Sequence, residues 1–115
     1  MQKNSINKVI LIGHVGSEPE LRYTPSGASI TSFSLATNEV WINADKEKQE
    51  RVEWHSIIAW NKLADFSKEY ITKGQLIYIE GSLHTNTWID KDENTRKKVE
   101  IICNMITPLD WKKEN

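Results

Sequence analysis

One cysteine in 115 residues excludes an intrachain disulfide, so this chain needs no oxidising compartment. The thiol, Cys103, stands in the apolar run "VEIICNMI", where a buried inert sulfur is expected rather than a nucleophile. Charge of either sign is also lacking in excess: 15 Lys and Arg against 16 Asp and Glu leave a net charge of −1. The basic surplus that usually marks a nucleic-acid binder is missing, so any polyanion site must be made by local placement. No apolar run approaches membrane-spanning length, and "MQKNSINK" carries no hydrophobic segment of the secretory kind. A cytoplasmic chain is expected; an organelle protein freed of its transit peptide would read the same way.

Catalytic signatures are scarce as well. His14, His55 and His84 fall on three separate segments with no metal-ligand spacing, and one cysteine cannot build a structural zinc site. There is no G-x-S-x-G elbow, and Gly13 and Gly16 lack the following helix that a phosphate-binding loop needs. Asp90 and Asp92 lie in a turn, where solvated carboxylates are expected rather than a paired acid and base. The expectation is a binding protein, not an enzyme, with no cofactor and no metal.

What is present is a run of strand signals. Hydrophobic residues at 38% and charged residues at 27% suit one compact domain. "KVILIGHVG" (8–16) is β-branched, with a bend or bulge expected at its glycine. "LRYTPSGAS" contains a turn at Thr24-Pro25-Ser26-Gly27. "SITSFSLATN" (29–38) alternates Thr31, Phe33, Leu35 and Thr37 against Ile30, Ser32, Ser34 and Ala36. "NADKEKQE" reads as a solvated hairpin loop before the third strand, "VEWHSIIAW" (52–60).

In "NKLADFSKEYITKG" the period changes. Leu63, Phe66 and Tyr70 mark a short helix with Asn61 as N-cap and Gly74 as its stop. "QLIYIEGSLHTNTWI" (75–89), with a bend at Gly81, and "TRKKVEIICNMI" complete five strands around the turn "DKDEN". Five strands with a helix between the third and fourth is the order of an all-β OB-fold barrel; another small α+β sheet is the alternative. The expected domain is 1–110, with 111–115 a short C-terminal end.

The aromatic residues carry the functional signal. Five tryptophans are heavy use, and Trp41, Trp54, Trp60 and Trp88 sit at strand ends or beside polar residues, in "NEVWIN", "RVEWHS", "IAWNKL" and "TNTWID". A single Trp is more often packing than platform. As a group in polar settings they favour exposed surfaces on which bases can stack. In "VEWHSIIAW", alternation sets Trp54, Ser56, Ile58 and Trp60 on one face and His55, Ile57 and Ala59 on the other. Trp111 is expected to be ordinary packing or a frayed end.

"NKVILIGHVGSEPELRYTPSGASITSFSLATNE", followed in order by "EWHSIIAWNKLAD", "EYITKG" and "IYIEGSLHTNTW", closely resembles bacterial single-stranded DNA-binding proteins over about residues 6 to 110. The resemblance implies a homotetramer that coats single-stranded DNA without strong sequence preference during replication, recombination and repair, in the cytoplasm and on the nucleoid. It implies stacking on Trp41, Trp54, Trp60 and Trp88, backbone contacts from Lys8, Arg22, Lys62 and Lys73, and a subunit contact near a structural His55.

Departures accompany the likeness. Ser56, Thr72, His84, Asn86 and Thr87 stand where the family often has Arg or Lys, so binding is expected to lean more on stacking and less on counterion release. His14 and Asn61 also depart, with no functional account. The sequence ends at "DWKKEN" where typical members run on to a flexible tail with an acidic tip; a truncated chain and a naturally tail-less form read alike, and in the second case partners recruited by such a tip are not expected. A dimeric primosomal accessory factor and a sugar-binding or nuclease OB domain are the rival readings. The first usually lacks these aromatics, and a nuclease needs clustered carboxylates or a metal site.

Overall fold

A computed structural model describes residues 3–110; Trp111 and the rest of 111–115 lie outside the described residues. Six strands and one helix follow in the order β1 (Val9–Val15), β2 (Glu20–Tyr23), β3 (Ser29–Ile42), β4 (Lys48–Trp60), α1 (Lys62–Tyr70), β5 (Leu76–Ile89) and β6 (Thr95–Pro108). The sheet runs β1-β5-β6-β4-β3-β2, and an added β1–β3 pairing joins its ends. Five strands thus close into a barrel, with β2 attached outside β3. This is the expected OB-fold, with the helix between β4 and β5.

Closure depends on β1 serving two neighbours. Val9 to His14 pair with β5, and His14 and Val15 pair with Ala36 and Leu35 of β3. Gly13 lies at the changeover, where a Cβ would overlap the Ala36 carbonyl oxygen. At the opposite seam β4 and β6 run parallel, Ile57 beside Ile101 and Ile58 beside Ile102. Between β5 and β6 the register slips by one: Glu80 pairs with Met105 but Gly81 with Cys103, leaving Asn104 as the extra residue of a bulge. The slip lets Cys103 and Ile106, three residues apart, both face inward and stay buried.

The core is mainly aliphatic, built from Val15, Leu35, Ile57, Ala59, Ile77, Ile79, Ile101 and Ile106 around a single ring, Phe33. These are the inward residues of alternating strands, as the pattern of 29–38 and 52–60 anticipates. Helix α1 covers one end of the barrel, burying Ala64 and Ser67, and the Thr31 hydroxyl donates to the Ala64 carbonyl at 2.7 Å. Among the described residues no helix is long and apolar enough to cross a membrane.

Several local expectations change. Glu20–Tyr23, expected to lead into a turn, forms β2 against Ser29–Ser32; four residues, three of them exposed, give too weak a pattern to read. The expected turn follows it, with the Gly27 N–H donating to the Thr24 carbonyl at 2.9 Å. "NADKEKQE" is a hairpin turn over its first five residues and ladder over its last three: β3 and β4 pair out to Ile42 and Lys48, and in the turn Asn43 Oδ1 accepts the Asp45 and Glu47 N–H groups at 3.0 Å each. Asn61 precedes the helix with φ of 55° and makes no side-chain cap. The helix stops at Tyr70 with Ile71 extended, and Gly74, at φ of 90°, instead turns the chain into β5.

Cys103 is buried and its Sγ–H donates to the Ile58 carbonyl at 3.3 Å. Burial pushes its thiol up to about 12, so almost no thiolate exists near neutral pH. A thiol reagent at pH 8 should therefore label the native protein far more slowly than the denatured chain. Prompt labelling of the native state would show that β6 opens readily.

Candidate nucleic-acid interface

Strand β4 supplies both core and surface. His55, Ile57 and Ala59 turn inward, and Ile57 and Ala59 are fully buried. Trp54 is 61% exposed and Trp60 39%, on the outer face, with Ser56 and the buried Ile58 between them. Cross-strand partners extend that face over β3, where Ala36 lies opposite Trp54, Ser34 opposite Ser56, Ser32 opposite Ile58 and Ile30 opposite Trp60. Beyond Ile30 the next partner is Arg22 of β2. On the other side, the parallel seam with β6 and the ladder to β5 add Ile102, Glu100, His84 and Asn86.

Two adjoining hollows, sharing Arg22, Ile58 and Glu100, make a continuous shallow groove across this face. Small side chains, Ser32, Ser34 and Ser56, line one part of it. Trp60, Arg22, His84 and Asn86 line the other. A shallow groove lined by the half-exposed Trp60, with Trp54 on the same face of β4, suits an extended ligand with planar groups, since stacking needs a free ring face.

Trp54 has a defined seat. A Cβ at Gly16 would overlap indole Cζ3 and come within 2.8 Å of Ser34 Oγ. The ring therefore lies against bare backbone, and Ser34 is itself held by Ser17, whose Oγ accepts its backbone N–H at 3.0 Å. Trp88, 43% exposed, sits further along β5 opposite Arg96 and, by alternation, on the same face as Asn86 and His84. Trp41, 42% exposed, is odd-numbered on β3 and so falls on the reverse face of the β3–β4 arm from Trp54. The Arg51 guanidinium lies 5.9 Å from its ring centroid and is held by Glu39 at 2.7 Å.

The basic residues separate in the same way. Arg22 lines the groove beside Trp60. Lys62 opens α1 two residues after Trp60, and Lys73 lies in the loop before β5, its N–H donating to Glu18 Oε1 at 3.2 Å. Lys8 lies outside the groove: its Nζ pairs with Glu80 Oε1 at 3.0 Å on the β1–β5 surface. That hydrogen bond holds the Glu80 carboxyl below its ordinary range and raises Lys8 in turn. His55 is half-buried, its Nε2 bonded to Thr37 Oγ1 at 3.0 Å.

Sequence reasoning does not find Gly16 as the seat of Trp54, nor Glu100 on the groove. A signal for Glu100 exists: Ile101 and Cys103 must face inward, which sends Glu100 outward. Nothing local marks Gly16, because its contact lies on another strand. Among the described residues no group of three His, Cys, Asp or Glu is arranged to hold a metal ion.

Comparison with known proteins is consistent in kind. Residues 6–109 match the model of the single-strand binding protein family. The chain is 48% identical to single-stranded DNA-binding protein 1 of Chlorobaculum tepidum over 99 residues, 85% of this chain and 61% of that protein. It is 40% identical to the single-stranded DNA-binding protein of Neisseria meningitidis serogroup A over 111 residues, 96% of this chain and 64% of that one. The chain thus spans under two thirds of the length of these relatives. A structure of Plasmodium falciparum SSB in complex with ssDNA superposes with a TM-score of 0.84 at 35% identity, covering 96% of this chain and all of that one. A deletion variant of the single-stranded DNA binding protein from Thermus aquaticus gives 0.79 at 30% identity, covering 91% of this chain and 51% of that one.

Proposed function

This chain belongs to the single-strand binding protein family, and from that premise we propose that it coats single-stranded DNA exposed in replication, recombination and repair. The observation that carries the reading is the half-exposed set Trp54, Trp60 and Trp88 on one outer sheet face, beside a groove that holds Arg22. Bases stack on the indoles, at about 1–3 kcal/mol each and without regard to sequence, because every base has a π-face. Arg22, Lys62 and Lys73 meet the backbone. Trp41, on the reverse of the arm, adds contacts where the strand wraps around it. The bacterial relatives favour the cytoplasm as the place of action, and association with the nucleoid is part of the same proposal.

A homotetramer is part of the same proposal. The outer surface of β1, β5 and β6 carries Ile10, Ile12 and Met105, each about half exposed, around the Lys8–Glu80 pair. An apolar sheet face of this kind favours burial against a second copy. His55 is proposed to lie near such a contact. Linking four sites multiplies weak contacts through effective concentration.

Titration with oligo-dT of increasing length tests the reading. Tryptophan emission should be strongly quenched, and light scattering should give four times the chain mass. Unchanged emission would sink the DNA-binding reading. At two or more salt concentrations, the slope of log affinity against log salt should be shallower than in a relative carrying arginine at positions 56, 72, 84 and 86. An equal slope would mean that cations elsewhere take the place of those arginines.

A further inference from the structure

The groove is short of positive charge. Of its charged lining residues Glu18, Glu20 and Glu100 are acidic, against Arg22 and Lys98. A phosphate chain crossing this face must pass where the two cations stand. Arg22 is across β3 from Trp60, through the Arg22–Ile30 and Ile30–Trp60 pairs. Lys98 occupies the corresponding place at the other end. Ile58 pairs with Ile102 in the parallel seam, so carrying that register back puts Glu100 level with Ser56 and Lys98 level with Trp54.

Lys98 is also the direct partner of Asn86 on β5, two residues short of the Trp88–Arg96 pair. Trp54, Lys98, Asn86 and Trp88 therefore form one outward patch. Within it Lys98 has the available charge. Arg96 is held by Asp90 at 2.7 Å, which keeps that carboxyl below its usual range. Lys98 is exposed and, among the described residues, is in no ion pair. The next residue, Lys97, carries the same charge on the same strand but points to the opposite face, paired with Thr87.

We propose that Lys98 contacts a phosphate of the bound single strand at the Trp54 end of the groove, as Arg22 does at the Trp60 end. Trp54 and Trp60 are six residues apart on β4, about 20 Å at roughly 3.3 Å per residue; Arg22 lines both hollows and reaches Trp60, while Lys98 lines only the one that also holds Ser34 and Ser56, next to Trp54. Glu100 lines the same hollow as both cations, and its negative charge repels a phosphate chain toward Arg22 and Lys98. The proposal rests on the DNA-binding reading above and adds to it a phosphate contact on β6 that net charge conceals.

Salt titrations with oligo-dT test it in three variants. Lys98→Gln should lower the slope of log affinity against log salt by about 0.7, the counterion yield of one phosphate contact on a single strand. Lys98→Arg should keep the wild-type slope. Lys97→Gln, which changes net charge equally, should leave the slope unaltered. Fluorescence quenching at saturation should be the same in all, since the indoles stay in place. A wild-type slope in Lys98→Gln, or an equal loss in Lys97→Gln, would overturn the assignment of Lys98 alone. Failure of the wild-type protein to bind would overturn the DNA-binding reading with it.

Discussion

Replacing Trp54 by alanine should weaken oligo-dT binding about 5- to 150-fold per subunit, the equivalent of about 1–3 kcal/mol of lost stacking. The fold should survive. Most of the ring is in solvent and the part that is covered rests on Gly16 and Ser34, outside the barrel core. The thermal midpoint should move by no more than a few degrees, as for other surface changes. Cooperative unfolding of the variant would instead make Trp54 a core residue, and unchanged affinity would remove it from the interface. Gly16→Ala reaches the same indole from beneath. The new methyl would collide with the movable edge of the ring rather than with backbone, so the ring shifts and binding weakens while all five tryptophans remain. A wild-type isotherm for Gly16→Ala would mean that stacking tolerates a displaced ring.

Ile57→Ala, three residues further along the same strand, should have the opposite profile. Ile57 is fully buried, opposite Phe33 and level with Ile101 at the β4–β6 seam. Truncation leaves a cavity inside the closed core cluster around Phe33, Leu35 and Ile101, which relaxation fills only in part. The cost should be about 2–5 kcal/mol, or roughly 8–20 °C in thermal midpoint. Against a total stability of about 5–15 kcal/mol that is severe. Oligo-dT affinity of the folded fraction should change little, because the Ile57 side chain is turned into the core and away from the indoles. Denaturant unfolding paired with fluorescence titration separates the two effects. A stable Ile57→Ala variant with impaired binding would reverse the roles assigned to the two faces of β4.

These two residues show how much the sequence of one strand discloses. Alternation alone parts Trp54 and Trp60 from Ile57 and Ala59, and the burial of each follows that parity. The helix at 62–70 is legible for the same reason, because its periodic residues lie within one short window; the irregularity at Gly81 and the inert Cys103 are also anticipated, although the residues that enforce them, Ile102 and Ile58, sit on neighbouring strands. Local signals mislead at Asn61 and Gly74, because the chain around the helix is fixed by contacts to Ser29 and Val15, residues far away in sequence.

By itself the sequence determined the order of the five barrel strands and the helix, the two faces of 29–38 and 52–60, and the presence of indoles in polar settings. Only the tertiary structure decided which of those sets meet. β1 divides its hydrogen bonds between β5 and β3, and β4 accepts β6 in parallel. Barrel closure therefore sets Trp54 beside Gly16, brings Lys98 to the hollow lined by Ser34 and Ser56, and leaves Lys8 tied to Glu80 on another surface. The physical reason is that side-chain direction in a strand has a period of two residues and is a local property. The choice of partner strand and its register is made by backbone hydrogen bonds and core packing across the whole chain, which no short window of sequence contains.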